Sequence, residues 1–133
     1  MRGRVLADGA GEGHALVLDE PLSFWGGVDP ASGLIIDARH PQRGTSVEGR
    51  VLVMGSVRGS SSSSSVLAET VRAGCAPAAI LLGEPDLILA VGAAVSEELY
   101  GKRLPIVVFD PAELATIVDG VTVAIREGGE VIL

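Results

Sequence analysis

The sequence predicts an α/β domain built on a partly parallel central sheet, with further β-strands added at both ends. Three observations lead there. Continuous apolar runs recur at "RVLVMG" (50–55), "AAILLG" (78–83) and "LPIVVFD" (104–110), as expected of strands buried on both faces. Helical patterns lie between them, and a strand–helix–strand–helix–strand order favours parallel pairing with right-handed crossovers. The beginning and end of the chain read as β. The expected architecture is therefore a β/β/α domain.

Taken in order, "RVLADG" (4–9) and "HALVLDEP" (14–21) are short strands, with "AGEG" between them as a hairpin-like turn. "LIID" (34–37) is a further short run between the glycine-rich "FWGGVDPASG" and the polar "ARHPQRG". Past the strand at 50–55, Val66, Leu67, Thr70, Val71 and Gly74 share one helical face, which predicts a helix over about 61–73 stopped by Gly74. "DLILAVGAAVSEELYG" (86–101) reads as helical with Gly92 as a weak point. "PAELATIVDG" (111–120) opens on Pro and closes on Gly, the polarity of a short helix. "VTVAIREGGEVIL" (121–133) gives two strands around Gly128-Gly129.

The length of 133 residues suits one domain spanning 1–133. Apolar residues make up 47% and aromatics only 3%, so the core is aliphatic and general disorder is excluded. A net charge of −7 argues against nucleic acid and against an anionic membrane surface as partners. Cys75 is the one cysteine, which excludes a disulfide framework or a metal centre made from this chain's cysteines alone. "MRGRVLADG" has no apolar signal core, and no run approaches the roughly 20 apolar residues of a membrane span. A reducing cytoplasm is the simplest compartment.

Chemistry concentrates in "RGSSSSSSVLAETV" (58–71). A serine tract is commonly a linker, but this one joins a buried strand directly to an amphipathic helix. The remaining readings are helix capping and a functional loop. Strand-to-helix turns present free N–H groups and the positive end of a helix dipole. Gly59 permits close backbone approach, Arg58 offers a bidentate cation, and the serines offer donors. Together they suit an anion, and such a site also favours an ionised serine able to remove a proton from carbon. Neither a phosphate-loop pattern nor a Gly-x-Ser-x-Gly elbow is present.

"DEPLSFWGGVDPASGLIIDARHP" (19–41), "LVMGSVRGSSSSSSVLAE" (52–69) and "APAAILLGEPD" (76–86), in that order, resemble the small subunit of the aconitase X dehydratases. The likeness covers about residues 3 to 110. It implies a swivelling β/β/α domain that pairs with a large subunit, with the active site between the two. It implies a hydro-lyase reaction with an iron–sulfur cluster carried by the large subunit and none bound by this chain. The family's substrates are (R)-mevalonate 5-phosphate, dehydrated to trans-anhydromevalonate 5-phosphate, and cis-3-hydroxy-L-proline; the first is set slightly ahead here. The resemblance assigns the proton-acceptor role to Ser60, after Gly59, with Arg58, Gly59, Ser61 and Ser62 as substrate contacts. Val57 departs from the family's Gly-Arg-Gly-Ser pattern at its first position. The rival classes are a non-catalytic binding or regulatory swivel domain and a stand-alone lyase.

Other residues have two readings each. Trp25, beside Phe24, is a loop-packing residue or a contact at the partner or active-site mouth. Gly26-Gly27 and Asp29-Pro30 read as turns. His40, with Asp37, Arg39 and Arg43 nearby, reads as a solvated loop histidine ahead of an anion-binding or acid–base group. His14 reads as an edge residue and Cys75 as a structural thiol. Glu84 and Asp86 follow a strand whose end faces a site in many α/β folds, but read first as solvated turn carboxylates.

Overall fold

The computed structural model describes residues 1–57 and 59–133. Seven strands form one sheet: β1 (Arg4–Ala7), β2 (Gly11–Val17), β3 (Val51–Met54), β4 (Ala79–Leu82), β5 (Ile106–Val108), β6 (Thr122–Arg126) and β7 (Glu130–Ile132), in the spatial order β1-β5-β4-β3-β2-β6-β7. The middle four, β5-β4-β3-β2, run parallel. β1 is antiparallel to β5, and β6 and β7 extend the other side antiparallel. The sheet curls until its two edges meet, where Arg2 bridges Glu130 and the amide of Val131 donates to the carbonyl of Met1 at 2.7 Å. The fold is thus the partly parallel α/β class with added strands that the apolar runs imply.

The helices are α2 (Ser63–Ala73), α3 (Leu87–Tyr100) and the short α4 (Pro111–Leu114); α1 (Phe24–Gly27) is one turn broken at Trp25 and Gly26. Strand side chains alternate between two cores. Leu52, Met54, Ile80, Leu82 and Ile106 pack with Leu67 and Val71 of α2 and Leu89 and Ala93 of α3. Val51, Val53, Ala79, Leu81 and Val107 face the other way, toward Leu114, Ile117, Val123, Ile125 and Val131. Each valine, leucine, isoleucine or methionine among them contributes about 1.5–3 kcal/mol by leaving water.

Four expectations need correction or sharpening. β1 and β2 do not form a hairpin; they lie at separate places in the sheet. The glycines of "AGEG" belong instead to β2, where a Cβ on Gly11 would stand 2.5 Å from the Ala78 carbonyl oxygen and one on Gly13 2.3 Å from that of Gly49. They are glycines because neighbouring backbone passes over them, not because the chain turns. α2 begins at Ser63, two residues later than the periodicity suggests, although single turns already run from Ser60. Gly92 is no weak point: α3 is continuous through it, and the residue is buried where a Cβ would meet the Ser64 carbonyl oxygen at 2.9 Å and Leu67 at 3.2 Å. It lets the backbones of α2 and α3 approach closely.

His40 is buried rather than solvated. Its Nδ1 accepts from the amide of Gln42 at 3.1 Å, which leaves Nε2–H to donate to the Glu20 carbonyl at 3.0 Å. Gln42 adds a bond from Nε2 to the Val17 carbonyl at 2.8 Å. The long β2–β3 connection is therefore tied back to the end of β2 by polar side chains. Leu22, Phe24, Val28 and Ile35 anchor its other half in the core.

Two substitutions check these contacts. Gly92→Ala is expected to destabilise by about 1–3 kcal/mol through overpacking, despite alanine's advantage of about 1 kcal/mol in a helix interior. Denaturant unfolding showing a gain instead would mean that α2 and α3 separate freely. His40→Ala is expected to cost about 1–3 kcal/mol by leaving the Glu20 carbonyl and Gln42 amide without partners. His14→Ala, at an exposed strand position, stays within about 0.5 kcal/mol.

Candidate functional site

The site is built where β3 leaves the sheet. β3 and β4 end side by side, and the amide of Gly83 donates to the carbonyls of Met54 at 3.2 Å and Gly55 at 3.0 Å. A Cβ on Gly83 would stand 2.7 Å from the Gly55 oxygen, so the two strand ends touch. Val57 then forms a parallel bridge with Leu22, which brings the segment after β3 alongside the segment before α1. Arg58 lies outside the described residues.

Gly59 follows with φ +141°, a backbone state that side chains disfavour. It also has no room for one: a Cβ would stand 2.4 Å from Ser23 Oγ and 3.0 Å from Ser63 Oγ. Both constraints explain the glycine before the serine run.

The serines are not equivalent. Ser60, Ser61 and Ser62 are exposed together at the start of α2. Ser60 Oγ accepts the amide N–H of Ser62 at 3.1 Å, and its carbonyl accepts the amide of Ser63 at 2.9 Å. The N-cap position of α2 is Ser62, whose own side chain makes no capping bond, so the Ser60 hydroxyl orders the turn just ahead of the helix through its bond to the Ser62 amide. That bond also suits a base, because an N–H donated to an oxygen stabilises negative charge on it. Ser64 Oγ donates to the Ser61 carbonyl at 2.9 Å.

Ser63 is buried, with its Oγ accepting the amide of Trp25 at 3.2 Å and lying 3.4 Å from Ser23 Oγ. Ser23 Oγ donates to the Trp25 carbonyl at 2.9 Å. Sequence reasoning missed Ser23 and Ser63. The only signal was their membership of the two glycine-bearing segments, and nothing in the sequence pairs position 23 with position 63.

Trp25 is 57% exposed, on a turn whose Gly26 has φ +76° and whose neighbour Phe24 is buried. The turn thus holds the indole out while its backbone is tied to Ser23 and Ser63. Beside Ser61 and Ser64 runs a shallow groove lined by Leu87, Ile88 and Val91. It opens onto an outward apolar stripe of α3, with Leu87, Val91, Val95 and Leu99 at i, i+4 spacing.

The remaining candidates are structural. Asp86 caps α3, accepting from the Leu89 amide at 2.8 Å, while Glu84 is exposed on the turn. Asp29 organises its turn by accepting from Ser32 Oγ at 2.6 Å and the Ala31 amide at 3.2 Å; these bonds hold its carboxyl below the usual range. Asp37 accepts from the Arg39 amide at 2.9 Å, and Arg39 and Arg43 are exposed. Cys75 is buried, its Sγ 3.2 Å from the Pro30 carbonyl, and burial pushes its thiol pKa up.

One buried thiol cannot by itself hold a cluster, and the described residues hold no group of three or more His, Cys, Asp or Glu side chains that could bind an ion. These residues do not fit an iron–sulfur cluster. Among them, no helix is long and apolar enough to cross a membrane.

Comparison with known proteins places this arrangement. A family model described as the aconitase X swivel domain matches residues 1–133. The cis-3-hydroxy-L-proline dehydratase of Pseudomonas aeruginosa is 53% identical over 103 residues, covering 77% of this chain and 18% of that protein. The phosphomevalonate dehydratase small subunit of Methanothermobacter thermautotrophicus is 43% identical over 93 residues, covering 70% of this chain and 71% of that one. The crystal structure of Thermococcus kodakaraensis aconitase X in its holo-form superposes with a TM-score of 0.86 at 35% identity, covering 98% of this chain and 94% of that one. The chain spans about a fifth of the length of the hydroxyproline dehydratases it matches, 18% and 21%.

Proposed function

The chain belongs to the aconitase X swivel-domain family, and from that premise we propose that it is the small-subunit part of a dehydratase, a hydro-lyase in which Ser60 is the proton acceptor. The observation that carries the reading is Ser60 itself. It is an exposed hydroxyl set immediately after a glycine of forced geometry, at the start of a helix, in a chain matched over its length by that family.

The chemistry follows from the residues. Dehydration breaks a carbon–hydrogen bond beside an activating group and a carbon–oxygen bond one carbon further on. The carbon–hydrogen electrons form the double bond, and the hydroxyl departs with its bonding pair as hydroxide, which takes a proton from solvent to become water while Ser60 later releases the proton it gained. Ser60 Oγ takes the proton. The Ser62 amide that donates to it favours the alkoxide needed for that step, as oriented N–H groups favour any developing oxyanion. Gly59, Ser61 and Ser62 line the same exposed surface, and with Arg58 they receive the substrate's carboxylate or phosphate. The rest of the pocket belongs to a large subunit, and in this reading any iron–sulfur cluster is held there. Swivelling of this domain against that subunit opens and closes the site. The compartment that goes with the reading is the cytoplasm.

For the substrate, the comparisons shift the order set by the sequence. The 53% identity with a cis-3-hydroxy-L-proline dehydratase exceeds the 43% with a phosphomevalonate dehydratase small subunit. We therefore place cis-3-hydroxy-L-proline first and (R)-mevalonate 5-phosphate second. The second reading keeps specific support, because the chain covers 71% of the small subunit that bears that name.

The deciding experiment is anaerobic coexpression with the large subunit and assay of both compounds. The expected result is turnover of cis-3-hydroxy-L-proline by the pair and none by this chain alone. Turnover of mevalonate 5-phosphate only would reverse the order, and activity of the isolated chain would defeat the two-subunit reading. Ser60→Ala is expected to lower kcat by about 100- to 10,000-fold, the usual contribution of a general base. An active Ser60→Ala pair would return the chain to the class of binding or regulatory domains.

A further inference from the structure

We propose that Ser63, together with Ser23, is a positioning residue for Ser60: the two buried-side hydroxyls form the seat on which Gly59 rests. The proposal deepens the reading of Ser60 as the base and rests on it.

Four buried polar side chains stand out among the described residues: His40, Ser63, Thr70 and Ser96. Thr70 and Ser96 bond carbonyls of their own helices, at 2.6 and 2.8 Å, and His40 braces a loop. Ser63 alone joins the site's helix to a different segment. Ser23 has one hydroxyl proton, and it goes to the Trp25 carbonyl. The 3.4 Å contact between the two hydroxyls therefore has Ser63 as donor and Ser23 as acceptor. The Trp25 amide donates back to Ser63 Oγ at 3.2 Å. The three bonds close a ring: Ser63 to Ser23, Ser23 to Trp25, Trp25 to Ser63.

Gly59 lies directly on that ring. A Cβ there would be 2.4 Å from Ser23 Oγ and 3.0 Å from Ser63 Oγ. The next residue is Ser60, whose carbonyl accepts the Ser63 amide at 2.9 Å. Ser63 thus controls Ser60 from two sides, through its hydroxyl beneath the preceding glycine and its amide on the serine's own carbonyl. The Leu22–Val57 bridge holds the two segments parallel just upstream. An alanine at 63 keeps the helix but leaves the Trp25 amide without its acceptor, and Gly59 loses part of its seat. The serine hydroxyl then shifts relative to the Ser62 amide and the substrate carbon. A displacement near 1 Å costs a reaction on the order of 100-fold.

The test uses the pair assembled with its large subunit, turning over cis-3-hydroxy-L-proline or its C2-deuterated form. If only mevalonate 5-phosphate is turned over, that compound deuterated at the carbon that loses its proton takes its place. Ser63→Ala and Ser23→Ala are compared with wild type, with Ser60→Ala, and with Ser96→Ala as a buried serine remote from the ring. Ser63→Ala is expected to lower kcat by about 10- to 100-fold with KM within about twofold, the signature of an interaction that acts in the transition state. The deuterium isotope effect on kcat is expected to rise, because proton transfer becomes slower than the other steps. Ser23→Ala shifts both quantities in the same direction and answers the question should Ser63→Ala fail to fold. Ser96→Ala loses comparable thermal stability and keeps kcat and the isotope effect of wild type. Ser60→Ala inactive, with both ring variants at wild-type kcat and isotope effect, overturns the positioning role alone. Ser60→Ala at the wild-type rate overturns the base assignment, and the positioning role with it.

Discussion

Burial of β3 and β4 on both faces is the constraint from which the rest of the fold follows. Val51, Leu52, Val53 and Met54 are all shielded from water, as are Ala79, Ile80, Leu81 and Leu82. Two such strands need cover on both sides. α2 and α3 supply it on one side, close enough that Gly92 has space for no side chain. The curled ends of the same sheet supply it on the other, with Val123, Ile125 and Val131 turned inward beside α4. The chain's first residues complete the curl by pairing with β7. A parallel strand pair must also send its connections over the sheet from the same end. The serine run is such a connection, and its position at the carboxyl end of β3 is a consequence of topology before it is a matter of chemistry.

What the sequence discloses follows the range of the forces involved. β3, β4 and β5 are legible because continuous apolar runs report burial directly, and α2 because its apolar face repeats every turn. The β6–β7 hairpin is legible because Gly128 and Gly129, with φ +87° and +84°, mark a local turn. The errors lie where a residue answers to something distant in sequence. Gly11 and Gly13 look like a turn but yield to passing backbone at Ala78 and Gly49. Gly92 looks like a helix defect but yields to α2. His40 sits among charged residues and reads as solvated, yet its two ring nitrogens serve Glu20 and Gln42. Local pattern carries no information about which backbone will arrive opposite a given glycine or histidine.

The site divides the same way. The strand–Gly–Ser–helix order marks Gly59 and sets Ser60 apart, the family resemblance gives Ser60 its role, and the structure accounts for the glycine and for the exposure of the serine after it. Ser63 lies inside the same run of six identical letters and has a different environment from each of its neighbours. Helical geometry sorts them: a turn that starts at Ser60 points residues 60 to 62 outward and rotates position 63 onto the core side. A homopolymeric tract thus contains an exposed serine that accepts a neighbouring amide, a buried bridge to another segment and a serine bonded back to the tract. Composition alone suggests a linker, and only the helical phase separates these roles.

Capping and proton abstraction are also less opposed than the sequence reading made them. A cap works because a side-chain oxygen accepts an N–H that the helix leaves unpaired. A serine base works only if its oxygen is favoured when charged. The Ser62 amide serves both ends, since the bond it makes to neutral Ser60 Oγ strengthens as that oxygen gains negative charge. In the proposed reading of Ser60 as the base, local order and reactivity therefore draw on one donor, since the bond that fixes the turn ahead of α2 is also the one that favours the charged oxygen. What discriminates a mere cap from a base is what surrounds it. An ordinary cap tolerates any preceding residue. Here the preceding glycine is pressed onto two hydroxyls, one of them, Ser23, from a different segment, a closeness that capping does not require.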